Sequence, residues 1–304
     1  MNYKKIIRSQ KLRFKILHML DWVPDYVMLK LQYRIKMGFW PNFKHPSRFT
    51  EKLQLYKMCY RNPVMFQCVD KYEVRQYVES KGLGHILNEL YGVYDRPEDI
   101  DFSTLPDKFV VKITDGGGGL NVIVVKNKQD ADLDDIRAKL TLWGAGQVRK
   151  KKKSGGREWA YTGITKRRII IEKYLEDQMG GGNLIDYKFF CFNGEPQYLY
   201  VIGDRKPGEY AYLAMYGNNF EKLPYYTSDE RKLERPMPRP GNFGEMLDVA
   251  KKLSEDFPHV RVDLYSINGK TVFGELTFYD GSGYYLFEPD DFDFKAGSYF
   301  TEYT

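Results

Sequence analysis

The stretch Arg261-Val-Asp-Leu-Tyr-Ser-Ile-Asn-Gly-Lys-Thr-Val-Phe-Gly-Glu-Leu-Thr277 decides how this chain reads. Its alternation sorts charged and apolar residues onto opposite faces of one β-hairpin. A three-residue loop, Ile267-Asn268-Gly269 with Gly269 left-handed, sets position 263 opposite 273 and 261 opposite 275. Arg261, Asp263, Glu275 and Thr277 then share a face, and Val262, Leu264, Val272, Leu276 and Phe278 take the other. A two-residue Asn-Gly turn would put Asp263 and Glu275 on opposite faces unless a bulge intervenes, so the longer loop is the expectation. Two carboxylates beside an Arg on a rigid hairpin suit Mg²⁺ and a polyphosphate: hard oxygens take the ion, and the guanidinium takes a developing oxyanion. The competing reading is a solvent-exposed face with an ordinary ion pair.

Upstream, Lys108-Phe-Val-Val-Lys-Ile-Thr-Asp-Gly-Gly-Gly-Gly-Leu-Asn-Val-Ile-Val-Val125 reads as strand, glycine loop, strand, with Lys112 at the end of the first strand. Consecutive glycines let backbone N–H groups approach phosphate oxygens closely, although a flexible hairpin tip has the same composition. No Gly-Lys-Ser/Thr follows and no helix opens after the glycines, which excludes a Walker loop and a dinucleotide fingerprint. Arg168-Ile-Ile-Ile-Glu-Lys-Tyr-Leu-Glu176 is an apolar strand surfacing into charge. Its end offers donors and acceptors to a base edge, with Tyr174 or Leu175 against the base's face, or is simply a buried strand emerging. Residues 69 to 82 read as a helix with Gly82 at its close. Lys71 then sits in the first turn, where the macrodipole disfavours a cation, so it is either solvated or facing an anion.

In this order the pieces resemble the ATP-grasp ligases, and in particular the branch associated with teichuronopeptide, capsule and other surface polysaccharide synthesis, often called TupA-like. The runs that carry the resemblance are Phe49-Thr-Glu-Lys-Leu-Gln54, Asp70-Lys-Tyr-Glu-Val-Arg75, Arg157-Glu-Trp159, Asp186-Tyr-Lys-Phe-Phe-Cys-Phe-Asn-Gly194 and Gly274-Glu-Leu-Thr-Phe-Tyr279. The resemblance implies an α+β ATP-grasp fold, two α+β subdomains gripping ATP, with ATP and Mg²⁺ as cofactors. It implies that Lys71 and Lys112 contact the phosphates and that the loop from Asp115 through Gly116, Gly117, Gly118 and Gly119 to Asn121 closes over them. Glu172, Lys173, Tyr174 and Leu175 would receive adenine. Asp263, Glu275 and Thr277 would hold magnesium, and Arg261 would steady the transferring phosphoryl group or the tetrahedral intermediate. Many ATP-grasp ligases carry Asn where Thr277 stands, which leaves a weaker ligand here. The ribose acid is open among Glu176, Asp177 and Asp186.

With 304 residues and 42% hydrophobic content the chain can bury a real core. The expected organisation is a helical N-terminal extension (1–60, punctuated by Trp40-Pro41 and His45-Pro46) and a helical connector carrying the phosphate-binding Lys (61–105). A small subdomain with the glycine loop (106–176) and a large one with the metal hairpin (177–304) follow. No stretch approaches the ~20 apolar residues of a membrane span, and no cleavable signal is expected. Cys59, Cys68 and Cys191 lack metal spacing and fit a reducing cytoplasm. His18, His45, His85 and His259 are scattered and read as structural. Net charge +6 is concentrated where Lys4, Lys5, Arg8, Lys11, Arg13 and Lys15 precede the first acid. Residues 3 to 17 therefore read either as a basic amphipathic helix on anionic lipid or as a helix docked on the body. The run Arg149-Lys-Lys-Lys-Lys153 reads as a solvated loop or as a lid drawing in a phosphorylated acceptor. Nucleic acid is not an expected partner, since no binding module is present.

The resemblance implies a carboxylate–amine ligase that forms an amide through an acyl phosphate. Its partners would be a uronic-acid-containing glycan or its nucleotide-sugar or lipid-linked precursor, and an amine or amino acid. The location would be cytoplasmic, extending to the inner face of the membrane. Lys188 and Arg205 are further catalytic candidates, with Gly281-Ser282-Gly283 as a backbone-rich turn beside the metal strand. Two alternatives stand: a kinase of a sugar or lipid-linked glycan, and a catalytically inactive glycan-binding subunit.

Overall fold

The computed structural model describes residues 16–17, 19–116, 121–148, 156–177, 184–203, 212–228 and 230–303. The basic residues up to Lys15, with His18, the glycines Gly117, Gly118 and Gly119, the run Arg149 to Lys153 and Arg205 lie outside the described residues. Helices α1 (Asp25–Met37), α2 (Phe49–Cys59), α3 (Val64–Cys68) and α4 (Val74–Ser80) come first. Strands β1 (Leu90–Tyr94), β2 (Phe109–Ile113) and β3 (Val122–Val125) follow, then helix α5 (Leu133–Leu142) and strand β4 (Ile169–Lys173). Next are β5 (Asp186–Phe192), β6 (Glu195–Gly203), β7 (Tyr212–Gly217), β8 (Tyr226–Thr227) and β9 (Arg231–Lys232). Helix α6 (Phe243–Ser254), strands β10 (His259–Ile267), β11 (Lys270–Thr277) and β12 (Phe287–Glu288), and helix α7 (Asp291–Tyr299) complete the order.

The first sheet has the order β1-β4-β2-β3 and is antiparallel throughout. Alternation sends Phe109, Val111, Ile113, Ile169 and Ile171 to one face, where they pack with Ile136 and Leu140 of α5. That helix starts because the Asp132 side chain accepts from the Asp135 N–H at 2.9 Å, an N-cap. The other face carries Val110, Lys112, Val122, Val124 and Glu172, and Val124 on it is 50% exposed. This face is partly open to solvent, whereas the other is packed against α5. Strand β1 falls in the segment expected to be a helical connector; Leu90-Tyr-Gly-Val-Tyr94 is rich in residues that favour strands and pairs with β4.

The second sheet has the order β11-β10-β5-β6-β7-β9. Tyr187, Phe189, Leu199, Val201, Val262 and Leu264 line the face that buries Phe243, Met246, Ala250 and Leu253 of α6. Each large apolar side chain so buried contributes roughly 1.5–3 kcal/mol. On the opposite face Phe190 meets Phe49 of α2 at 6.4 Å and Tyr198 meets Phe292 of α7 at 5.0 Å, leaving Arg261, Asp263, Lys188, Glu275 and Thr277 further along the same side. Glu51 fixes the start of α2, its carboxylate accepting from the N–H groups of Asn42 at 2.7 Å, Ser47 at 3.1 Å and Arg48 at 3.2 Å.

Two local expectations are corrected. The β10–β11 turn is the two-residue one: Ile267 pairs with Lys270, and Asn268 and Gly269 take φ of 51° and 77°. Asn-Gly matches the strand twist in that turn, which is why it displaces the longer loop. A bulge then shifts the register so that Leu264 faces Phe273 and Asp263 faces Glu275, with Gly274 as the extra residue. The second correction concerns Lys71. Its helix begins only at Val74, because Asp70 Oδ1 accepts from the N–H groups of Tyr72 at 2.9 Å and Glu73 at 3.0 Å and so holds a turn. Lys71 stands in that turn, its own N–H donating to the Thr114 carbonyl at 3.0 Å at the end of β2.

Candidate active site

Arg261 is the centre of the polar face. Residues two apart on a strand share a side, so its Nε and Nη2 reach Asp263 Oδ1 and Oδ2, each at 2.6 Å, as a fork on a fork. Nη2 also donates to Glu275 Oε1 at 3.0 Å and Thr277 Oγ1 at 3.1 Å, across the strand pair that the bulge brings into register. Nη1 donates to Asp280. Lys188, opposite Asp263 on β5, donates to Asp263 Oδ2. Burial works against a charged Asp263, but Arg261 and Lys188 outweigh it and hold the carboxyl below its ordinary range. Burial likewise opposes the Arg261 charge, and Asp263 and Glu275 more than offset it.

Lys71 and Asp115 approach this hairpin from the turn before α4 and the end of β2. Together with Gly116, Glu158, Arg261, Glu275 and Thr277 they line a cavity of about 380 Å³. Lys71 Nζ donates to the Gly116 carbonyl, and Asp115 accepts from Arg167 Nε at 2.7 Å. Burial lowers the Lys71 pKa, with Glu275 pulling it up and Lys112 pushing it down. Lys112 pairs with Glu172 Oε2 at 2.7 Å on the open face of the first sheet, and Arg75 stands 3.5 Å from the other Glu172 oxygen. Glu172 is therefore an ionic partner of two cations. Lys173 faces Glu89 at 3.1 Å in solvent, and Tyr174 lies beside Lys126; neither residue, nor Leu175, lines the cavity. Of the ribose candidates, Glu176 pairs with Lys108 at 2.9 Å in solvent, whereas Asp177 and Asp186 are buried.

The structure adds residues that sequence reasoning missed. Asp280 follows β11 and accepts from both Arg261 and the Tyr285 hydroxyl. It sits at the head of a turn in which Gly281, Ser282 and Gly283 take φ of 50°, 57° and 72°. Helix α2 holds that turn: Lys57 Nζ donates to the Ser282 carbonyl at 2.8 Å and the Gly156 carbonyl at 3.2 Å, and Gln54 Nε2 to the Gly283 carbonyl at 2.9 Å. Burial pushes Lys57 down to about 7, with Glu158 opposing it. The glycine-flanked Asp280 was the available signal.

As donors, Asp263, Glu275 and Thr277 have the hard-oxygen chemistry that magnesium takes. Glu275 is the open member, its side chain 40% exposed, whereas both Asp263 oxygens are engaged by cations. Among the described residues no group of three or more His, Cys, Asp and Glu is placed to hold a metal. The fit to magnesium thus rests on Glu275 with Thr277, and on Asp263 when Arg261 or Lys188 turns to another anion. Lys71 and Arg261 line the same cavity and have the cationic chemistry that a polyphosphate takes.

A four-stranded antiparallel sheet carrying Lys112 and a six-stranded sheet carrying the carboxylate hairpin, in an α+β chain, fit the ATP-grasp class. Residues 51–301 match the TupA-like ATPgrasp family, and the chain belongs to it. No curated protein sequence matches it. Among solved structures it is similar to D-alanine–D-alanine ligase from Bacillus anthracis at 17% identity and TM-score 0.44, over 70% of this chain and 57% of that one. The Helicobacter pylori D-alanine–D-alanine ligase gives 17% and 0.42 over 77% and 61%, and the Bacillus licheniformis L-amino acid ligase 16% and 0.39 over 71% and 42%. This chain spans less than two thirds of the length of each.

Proposed function

We propose that the chain is an ATP- and Mg²⁺-dependent carboxylate–amine ligase acting on a uronic acid of a surface polysaccharide or its precursor. The observation that carries this reading is the shared face of Arg261, Glu275 and Thr277 on a cavity that Lys71 also lines. A substrate carboxylate oxygen bonds to the γ-phosphorus of ATP as ADP leaves; an amine then attacks the acyl carbon, loses a proton and expels phosphate. That sequence asks the protein for positioning and charge stabilisation and needs no nucleophilic side chain. Lys71 and Lys112 bind phosphate oxygens, and Arg261 and Lys188 stand where negative charge develops. Magnesium, when bound near Glu275, Thr277 and Asp263, neutralises phosphate charge. The same reading divides the chain after residues 60, 105 and 176, with β1 of the 61–105 segment joining the first sheet of the next. The polysaccharide acceptor rests on family membership alone.

Mass spectrometry of reactions with ATP, a uronic acid and an amine tests it. Amide, ADP and phosphate are the expected products. Phosphorylated sugar with ADP would make the protein a kinase, and no nucleotide consumption across a panel of acids and amines would overturn both readings.

A further inference from the structure

Helix α1 is apolar on both sides. Its inner face buries Met28, Leu29, Tyr33 and Met37, while Val27, Leu31 and Ile35, spaced four apart, are 44%, 44% and 51% exposed. Trp22, three residues before the helix, and Trp40, three residues after it, are 80% and 54% exposed. A helix lying on a globular surface carries polar residues in those positions, and an apolar stripe of this length calls for a cover. Its rim is cationic. Lys30 and Arg34 stand 5.9 and 6.0 Å from the Trp40 ring. The acids at the helix start, Asp21 and Asp25, each lie 3.7 Å from the buried Arg157.

We propose that this face of α1 docks on the surface of an anionic lipid bilayer. Indole rings at both ends suit the headgroup boundary, the aliphatic residues between them suit the acyl region beneath it, and the flanking cations suit anionic headgroups. The charge argues against two other covers. A second copy packed stripe to stripe would bring Lys30 and Arg34 against their own counterparts. Residues 1–15 of the same chain would add the cations from Lys4 to Lys15 to the same rim. No helix among the described residues is long and apolar enough to cross a membrane, so the contact is one of surface.

Sedimentation of the full chain with vesicles decides the matter, using phosphatidylcholine alone and phosphatidylcholine mixed with phosphatidylglycerol. The wild type should pellet with the mixed vesicles and not with the neutral ones, and salt should release it. Replacing Val27, Leu31 and Ile35 together by Glu should weaken binding by about tenfold or more. Trp22→Ala lies outside the helix, leaves its fold untouched, and should weaken binding in the same direction. ATP turnover on a soluble acceptor should stay unchanged in both variants. Absence of vesicle binding by the wild type, or unaltered binding by Trp22→Ala and the triple variant alike, overturns the proposal. So does a wild-type dimer that the triple variant abolishes while neither pellets, which would assign the face to a second copy.

Discussion

Glu275 lies directly opposite Asp263 on the β10–β11 hairpin, although the Asn268-Gly269 turn alone would send the two carboxylates to opposite faces. Gly274 reconciles the two. Its place in the bulge is so close to the partner strand that a Cβ there would stand 2.9 Å from the Asp263 carbonyl oxygen and 3.2 Å from the Tyr265 ring. Gly274→Val should therefore shift the bulge, cost about 1–3 kcal/mol in urea unfolding and lower turnover steeply. Wild-type turnover in a folded Gly274→Val protein would separate the bulge from function.

The two hairpin carboxylates should respond differently to loss of charge. Asp263→Asn leaves Arg261 and Lys188 buried without their main anion, and breaking such a pair costs about 3–5 kcal/mol, so both stability and turnover should fall. Glu275 is partly exposed, so Glu275→Gln should keep the fold and lose turnover with a raised Mg²⁺ requirement. Urea unfolding and magnesium titration of turnover distinguish the two; an unchanged magnesium profile in Glu275→Gln would remove it from the metal site.

Lys71→Ala and Lys112→Ala should both weaken ATP binding, since an ammonium on a phosphate contributes about 1.5–3 kcal/mol, or roughly 10- to 150-fold in Kd. Lys112→Ala should also loosen the first sheet slightly, because Glu172 then keeps only Arg75 at 3.5 Å. Calorimetric titration with ATP reads the first effect, and wild-type affinity in both variants would overturn the shared phosphate site.

Alternation made the charged face of the hairpin legible, because period two survives whichever turn closes it. The turn itself was misread: a bulge leaves no mark in the sequence beyond one glycine, and Gly274 had an equally good reading as an ordinary strand residue. Lys71 was placed in a helix because Asp70 looks like a helix start, whereas in three dimensions Asp70 caps a tighter turn. Lys57 and Asp280 escaped notice for a different reason. Helix α2 buries Glu51, Gln54 and Lys57 along with its apolar residues, and periodicity cannot flag a buried lysine whose partners lie 99 and 225 residues away, at Gly156 and Ser282. The Lys188 contact to Asp263 was equally hidden, because it depends on β5 pairing with β10.

His259 gives the fold a pH dependence that a ring substitution should expose. Its Nδ1 donates to the Cys191 carbonyl at 2.9 Å, Nε2 has no hydrogen-bond partner among the described residues, and Phe49, Phe192 and Phe300 surround the ring at 5.2, 4.6 and 5.1 Å. Burial among these rings lowers its pKa from 6.5 to about 3, the carbonyl offsetting only part of the shift. As pH falls below 6.5 the unfolded chain takes up a proton that the folded chain refuses, so stability is lost by about 1.4 kcal/mol per pH unit until the folded pKa is reached. Asp293 runs the other way. Burial raises its pKa from 3.8 to about 6, so its contribution is fully present below 3.8 and disappears as pH rises through 6. The two slopes oppose each other in the wild type. His259→Phe removes one of them, so its stability should gain on the wild type by about 1.4 kcal/mol for each pH unit descended from 6.5 towards about 4. Urea unfolding of both proteins across that range measures the difference, and parallel curves would mean that His259 takes up its proton in the folded chain as readily as in the unfolded one.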